Sequence, residues 1–302
     1  MTTADGSPSN IDWRLIDARE RTLEREWSST PLVYNHAVLA SISLPYRSLG
    51  NTQAFTRVSG NASLRLRAGE VLEANGSYRC AKLPYGAASR LLLLQLCSSA
   101  VKRQTPVVEV ERSLTAFCRQ LGLSTDWRHL QRIKEQALRL SVLHMRIDVE
   151  HPEYKDTFKG DVFSSFRVDV PASYQQETLF PSIVEFSPKF YQSLVSHAIP
   201  MPLESIASLS HSARAIDAYC WLASRLHRVQ KNKPMKVRWT SLRYQFGNPE
   251  QLMKGFKSAF KVALKQALFV YPEARVEIVH GGIMLYRSPT PVKRTRAKGL
   301  LV

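Results

Sequence analysis

Four lysines share one face of an amphipathic segment between Gly247 and Pro272. At 100° per residue, Lys254, Lys257, Lys261 and Lys265 fall within an arc of roughly 80° on a helix. A DNA duplex, with one phosphate charge per ~1.7 Å of axis, would be a suitable partner for this face, and a merely solvated face is the alternative. The opposite side, expected to be buried, carries Leu252, Phe256, Ala259, Phe260, Ala263 and Ala267.

The charge of the chain is concentrated in its last third. The 302 residues carry a net charge of +17, and residues 211–302 hold 18 Lys and Arg against four acidic residues, a net +14. This asymmetry predicts a polyanionic partner. A membrane surface would attract the same charge, but the longest apolar run, Leu91 to Leu96, is too short to cross a bilayer, and no signal peptide is evident. We therefore expect no membrane partner.

Residue types that could support catalysis or bind metal lack the spacings that such chemistry needs. No two of the eight histidines are separated by a single residue, as the metal site of a rolling-circle nickase would require. There is no G-x-x-x-x-G-K-[ST] loop for a nucleotide and no zinc-finger spacing. Cys80, Cys97, Cys118 and Cys220 are expected to be buried thiols in a reducing cytoplasm, and three of them lie in apolar helical patterns. The sequence thus favours a DNA-binding protein without catalysis, cofactor or metal.

Local patterns in the first half of the chain predict a mixture of helices and strands. Alternation around Gly60-Asn61 predicts a hairpin, and Ser124-Thr125-Asp126 would cap a basic helix. The predicted elements are a helix at 11–27, strands at 36–47 and 54–69, a helix at 85–103, a strand at 108–110, helices at 111–121 and 126–142, and a hairpin of strands at 142–150 and 161–170.

The same order of elements recurs after Phe186-Ser187-Pro188. A helix is predicted at 189–197, a longer one at 212–229, then a short strand and short helix within KVRWTSLRYQFG, the lysine helix, and a hairpin turned at Gly281-Gly282. Three helices followed by a β-hairpin are typical of the winged-helix fold, whose last helix enters the major groove. We therefore predict an α+β fold of two tandem winged-helix domains.

The sequence also resembles a known family. LPYGAASRLLLLQLCSSAVKRQTPVVEVERSLTAFCRQLGL (83–123) is similar to the signature segment of RepA-type plasmid replication initiators. The segments at 54–66, 186–226 and 269–286 match the pattern of that family as well, so the resemblance spans roughly residues 35–292. It implies a theta-type initiator that binds origin repeats (iterons) in duplex DNA, promotes opening of the origin and recruits host replication proteins, namely the helicase and the host initiator.

The predicted domains follow from this organisation. They are an N-terminal extension (1–30), a first winged-helix domain with preceding strands (31–184), a second winged-helix domain (185–290) and a basic C-terminal tail (291–302). A transcriptional regulator of the same fold, without a role in replication, is the alternative function. Direct repeats beside the gene would favour the initiator, and a single palindrome would favour the regulator.

The candidate DNA contacts lie on the two basic helices and around the short helix at about 239–246. Lysine contacts phosphate more often than bases, so base reading is expected to involve neighbours such as Ser258, Gln251, Gln131 and Gln136. Pairing within the fold is the alternative role for Arg139, which lies near a helix end. The predicted DNA-binding residues are Arg128, Arg132, Arg139, Arg238, Arg243, Lys254, Lys257, Ser258, Lys261 and Lys265.

The resemblance also implies a homodimer in equilibrium with a monomer that engages each repeat. Leu39, Ile42 and Leu44 would supply a dimer contact if their predicted strand were exposed. The alternative, which we favour, is that these side chains complete the core of the first domain.

Overall fold

A computed structural model of the chain describes residues 13–24, 30–60, 62–73, 75–110, 118–119, 121, 127–150, 155–156, 161–168, 181–248 and 251–292. Its helices are α1 (Trp13–Leu23), α2 (Ala37–Ser41), α3 (Gly86–Arg103), α4 (Trp127–Ser141), α5 (Pro188–Ser196), α6 (Leu203–Ser208), α7 (Ala213–Arg225, continued by a 3-10 turn at Leu226–Arg228), α8 (Trp239–Phe246) and α9 (Met253–Phe269). The fold class is α+β, as predicted.

The strands form small antiparallel sheets. Their bounds are β1 (Leu32–His36), β2 (Ala54–Ser59), β3 (Ala62–Ala68), β4 (Glu70–Leu72), β5 (Tyr78–Cys80), β6 (Val107–Glu109), β7 (Leu143–Glu150), β8 (Lys155–Asp156), β9 (Phe163–Val168), β10 (Pro181–Phe186), β11 (Ala198–Pro202), β12 (Met235–Arg238), β13 (Val276–Val279) and β14 (Gly282–Leu285). The sheet orders are β1-β11, β2-β3-β7-β8, β4-β5, β6-β10-β9 and β12-β14-β13.

Helix α3 lies between two hydrophobic clusters, and its middle part, from Ser89 to Ala100, is buried except for the half-buried Gln95. Its four consecutive leucines divide between them: Leu91 and Leu94 pack into a cluster with α7, α8 and α9, whereas Leu92 and Leu93 pack into a cluster with α4, β3 and β10. A helix that is apolar all round is expected only where both sides are covered. We call these the C-terminal cluster and the N-terminal cluster.

The two clusters carry the same order of sheet strands. In the N-terminal cluster, β6 pairs with β10, which pairs with β9. In the C-terminal cluster, β12 pairs with β14, which pairs with β13. In both, a long helix precedes the first strand (α3 and α7), and a basic helix (α4 and α9) precedes the last two strands. The two units thus share one strand order, but it is not the predicted recurrence, because the strands that pair as a hairpin in the first unit are β9 and β10.

Two predictions about strands were wrong. Residues 37–41 form α2, because the His36 imidazole caps this apolar run by accepting a hydrogen bond from the Val38 amide. The segments at 142–150 and 161–170 do not pair with each other: β7 pairs with β3 and β8, and β9 pairs with β10. Strand pairing over long distances follows burial in the sheet rather than adjacency along the chain.

Several predicted features lie outside the described residues: most of the helix at 111–121, the cap at 124–126, most of the N-terminal extension and the basic tail at 293–302. The domain boundaries stay predictions. Helix α5, predicted to open the second domain, packs Phe190 and Leu194 into the N-terminal cluster. Ile42 and Leu44 are buried in the same cluster, with Leu39 packed against it, so these side chains complete the core as we favoured.

A buried ion pair joins α3 to α7. The Nε and Nη2 atoms of Arg90 each donate to one carboxylate oxygen of Asp217 at 2.8 Å. The remaining donors bond the carbonyl oxygens of Leu44 (2.6 Å), Pro45 (3.1 Å) and Gly86 (2.8 Å), so all N–H groups of the guanidinium are used. Burial would lower the pKa of Arg90, but Asp217 outweighs that effect and raises it, so the pair stays ionised.

A second set of polar contacts joins Ser43 and Arg57, from the N-terminal half of the chain, to α8. The hydroxyl of Ser43 and the guanidinium of Arg57 both donate to the carbonyl oxygen of Gln245, at 2.9 and 2.7 Å. The Gln245 amide in turn donates to the Ser41 carbonyl oxygen at 2.6 Å. A carbonyl in the last turn of a helix lacks an intrahelical donor, so a cation and a hydroxyl placed there stabilise the end of α8.

Breaking the ion pair should destabilise the whole chain. We expect Asp217→Ala to lower the free energy of unfolding by about 3–5 kcal/mol, because Arg90 would remain buried without its carboxylate. The matched control is Asp17→Ala, which removes an exposed i,i+4 pair with Arg21 and should cost less than about 1 kcal/mol. Urea unfolding of both variants measures the difference; equal effects would contradict this assignment.

The buried His36 should make folding sensitive to mild acid. Burial, and then the nearby His197, lower its pKa to about 4. The unfolded imidazole takes up a proton below pH ~6.5, whereas the folded one stays neutral until pH 4, so stability falls as pH drops through this window.

We expect a loss of about 1 kcal/mol between pH 6.5 and 5.5 from this one residue. His36→Asn keeps a capping acceptor but does not titrate, so its unfolding free energy should change less over the same pH range. Urea melts at both pH values test this, and identical pH dependence in the two proteins would show that His36 is not responsible.

Candidate nucleic-acid interface

Helix α9 presents the predicted lysine face to solvent because its other side is anchored in the C-terminal cluster. Phe256, Phe260, Ala263, Leu264 and Ala267 are buried, and the Phe260 ring lies 5.3 Å from that of Phe246 on α8. Lys254, Ser258, Lys261 and Lys265 are exposed, and Lys257 is half-buried. The prediction that Leu252 is buried was wrong: this residue precedes the first turn of the helix and is 80% exposed.

In the described part of the chain, few interactions offset the positive charge of the lysine face. The ammonium of Lys261 lies 5.9 Å from the centre of the Trp239 ring, which positions it over the start of α8. Lys254, Lys257 and Lys265 make no ion pair with any acidic side chain in the described part of the chain. Because no nearby carboxylate satisfies them, these ammonium groups are free to bind an external polyanion.

The predicted hairpin stands next to this helix, and its glycines are required by geometry. The turn residues are His280 and Gly281, one position earlier than predicted, and Gly281 has φ +79°. A Cβ at Gly282 would lie 2.1 Å from the Val237 carbonyl oxygen, so β14 can approach β12 this closely only with glycine there. The Gly281 carbonyl oxygen accepts a hydrogen bond from the Trp239 amide at 3.1 Å, which ties the turn to α8.

The two arginines predicted beside the short helix have different environments. Arg238 is exposed at the end of β12, paired with Gly282. Arg243 lies within α8 rather than at its edge, is half-buried, and donates to the Gln251 carbonyl oxygen at 3.2 Å. Arg243 therefore stabilises the segment that leads into α9, whereas Arg238 is available to a ligand.

Two residues of the first basic helix, α4, that were predicted to contact or read DNA are buried within the fold. Arg139 is buried: it donates to the Leu83 carbonyl oxygen at 3.1 Å, pairs with Glu135 and stacks on Tyr85. Gln136 is also buried and accepts a hydrogen bond from the Tyr85 amide at 2.8 Å. Both residues hold the start of α3. The alternative role of Arg139, pairing within the fold, is thus the correct one.

Of the other predicted positions on α4, only Arg132 is placed on the surface. Gln131 is half-buried, and the side chain of Arg128, in the first turn, lies outside the described part of the structure. From Gln131 to Ser141, the part of α4 whose side chains are described, Arg132 is the one predicted contact that is exposed.

In the described part of the chain, the cysteines and the potential metal ligands form no candidate catalytic or metal site. Cys97, Cys118 and Cys220 are buried as predicted, whereas Cys80 is exposed. Burial raises the pKa of Cys97 and of Cys220 to about 12, which keeps these thiols protonated. Within the described ranges, no group of His, Cys, Asp or Glu could hold a metal ion, and no helix is long and apolar enough to cross a membrane.

The family comparison agrees with the resemblance noted in the sequence. The profile of plasmid-encoded RepA proteins matches residues 83–240, which is more than half of the chain. The chain belongs to this RepA family. Family members are plasmid replication initiators, and the matched segment runs from the start of α3 to the first turn of α8. The lysine face of α9 lies beyond it, so its assignment rests on the geometry of this chain.

A solved structure shares the fold of the RepA chain. Domains 2 and 3 of RctB superpose with a TM-score of 0.52 at 11% identity, covering 83% of this chain and 98% of that one. A second structure of RctB domains 2-3 gives a TM-score of 0.47 at 11% identity, with 82% and 94% covered. A search of curated proteins gave no match.

The altered role of Arg139 can be tested on stability alone. We expect Arg139→Gln to lower the free energy of unfolding by about 1–3 kcal/mol, because the Leu83 carbonyl oxygen and Glu135 lose their buried donor. Arg132→Gln, on the same helix and exposed, should change it by less than about 0.5 kcal/mol. Denaturant melts of the two variants measure this difference. If Arg139→Gln leaves the free energy of unfolding unchanged, Arg139 would again be a candidate ligand contact.

Proposed function

We propose that this RepA chain is a replication initiator that binds repeated origin sequences in duplex DNA and uses α9 as its principal DNA-contact helix. The observation that carries the proposal is the lysine face: Lys254, Lys261 and Lys265 are exposed on one side of a helix whose other side is fixed by buried phenylalanines. Rigid anchoring matters because a helix in the major groove must be held in one orientation to select a sequence.

The proposal extends to the fold of both units. The order α7, β12, α8, α9, β13, β14 supports a winged-helix domain in which α9 enters the groove and the turn at His280-Gly281 lies beside the backbone. In the first unit, α3, β6 and α4 are followed by β7 and β8 and then by β9 and β10, which supports a second such domain with β9 and β10 as its wing and β7 and β8 as an insertion before it. Two helices on successive major grooves would cover a site of about 20 base pairs.

The chemistry of the exposed side chains suggests which of them would contact phosphates and which would contact base edges. Lys254, Lys261, Lys265 and Arg238 are suited to phosphate contacts, which supply affinity without reading sequence. Ser258, exposed between the lysines, can hydrogen-bond a base edge, and Arg132 offers a bidentate donor on α4. In this proposal the protein is not an enzyme, and it recruits host replication proteins, a helicase and an initiator, to DNA that it has bound. Its dimer would be in equilibrium with a monomer that engages single repeats.

Charge reversal on the exposed face tests the DNA-contact role. We expect Lys254→Glu combined with Lys265→Glu to abolish binding to origin duplex while leaving the thermal midpoint almost unchanged, because both side chains are exposed and make no ion pair with described residues. The measurement is fluorescence anisotropy with a labelled duplex from the origin.

The matched control reverses two exposed lysines far from α9 in sequence, Lys82→Glu and Lys189→Glu, for the same change in net charge. It should retain most of the affinity. If both double variants lose binding equally, overall charge rather than α9 explains the interaction. Binding to a single palindrome but not to direct repeats would favour the transcriptional regulator, and metal-dependent nicking of the duplex would contradict a non-enzymatic role.

A further inference from the structure

A second group of exposed cations follows α7 and has no acidic neighbour in sequence. No Asp or Glu occurs between Asp217 and Glu250. Six cationic side chains in this interval are exposed, on the end of α7, the turn before β12, and β12 itself: Arg225, Arg228, Lys231, Lys233, Lys236 and Arg238. We call this surface the β12 track. The sequence pattern did not single it out because the run has no helical periodicity.

A tight turn projects the far end of the β12 track into solvent. The Lys233 amide donates to the Gln230 carbonyl oxygen at 3.2 Å, so Lys231 and Asn232 occupy the corners of the turn. None of the six cations forms an ion pair with a carboxylate in the described part of the chain. Partial burial and then repulsion from Arg228 lower the pKa of Arg225, as expected of a group whose neighbours share its charge.

Side-chain and backbone contacts connect this track to the lysine face of α9. Lys261 lies over Trp239, the residue after Arg238, and the Trp239 amide bonds the Gly281 carbonyl oxygen. The Lys236 ammonium reaches the same turn, 3.9 Å from where a Cβ of Gly281 would stand. The cations therefore follow one another from α9, past the hairpin turn, and along β12.

The track is long enough to contact several successive phosphates of one DNA strand. At ~3.3 Å per residue, Lys233 lies about 17 Å from Arg238 along the strand direction. One DNA strand carries a phosphate per ~3.4 Å of axis, so this distance corresponds to about five phosphates. A polyanion that follows the track away from α9 would run beyond the base pairs contacted by the helix.

We propose that the β12 track binds the phosphate backbone of duplex DNA flanking the repeat, so that the protein contacts more DNA than its recognition helices cover. This rests on the proposed function, since α9 must first place the duplex. Direct phosphate contacts are independent of sequence, so the track adds affinity for any flank and leaves the choice of repeat to α9.

The test compares two duplexes and two variants of the full chain. A footprint of the unaltered protein defines a core duplex, and extended duplexes add about ten base pairs, one helical turn, on either side. We expect the unaltered protein to bind one extended duplex more tightly than the core. Lys231→Gln with Lys233→Gln should remove that gain and lower the log–log salt slope on the extended duplex by about 1.8, while binding to the core duplex is unchanged.

The charge-matched control is Lys82→Gln with Lys189→Gln, two exposed lysines outside the track, and it should keep the gain. The proposal is overturned if the track variant keeps the gain, if it loses affinity equally for the core duplex, or if the control loses as much. Failure of the unaltered protein to bind any origin duplex would instead overturn the proposed function. Thermal melts of both variants confirm folding, which exposed lysine substitutions should not alter.

Discussion

The structure depends on keeping two opposite charges buried where α3 crosses α7. Removing the Arg90 guanidinium and the Asp217 carboxylate from water costs several kcal/mol for each ion, and only good geometry offsets that cost. Here the geometry is complete, because the carbonyl oxygens of Leu44, Pro45 and Gly86 take the remaining donors. A small displacement of α3 relative to α7 would leave charge unsatisfied. The pair therefore favours one arrangement of the two clusters over nearby alternatives.

The contacts around Gln245 extend this constraint to the candidate interface. Helix α8 precedes α9 and packs against it, and its carbonyl end is held by Ser43 and Arg57 from the opposite half of the chain. The orientation of the lysine face is thus not a property of the second half alone. Residues some 190 positions earlier in the chain help to set it. The orientation of the candidate interface and the packing of the chain thus depend on the same buried polar groups.

Sequence patterns were sufficient where the determinant is local. The period of α9, the turn glycines at 60 and 281, and the strands beside them follow from neighbouring residues. Patterns failed where the determinant is distant. The spacing of polar and apolar residues along α4 does not show that Arg139 contacts Tyr85 and Leu83. Likewise, the sequence of β9 does not show that this strand pairs with β10 rather than with β7. Residues 37–41 form α2 rather than the predicted strand, because an apolar run of that length fits either state and the pattern does not show that His36 caps a helix.

The burial of the middle of α3 between two clusters has a consequence for which substitutions this chain can accept. In an ordinary amphipathic helix, about half of the positions face water and accept polar replacements. Along Leu91 to Leu94, four adjacent positions face two different cores, so none of them can accept a polar residue and none can change size without affecting one core. A substitution at any of these positions therefore has to be accommodated by the cluster that it faces, and α3 couples the packing of the two halves of the chain.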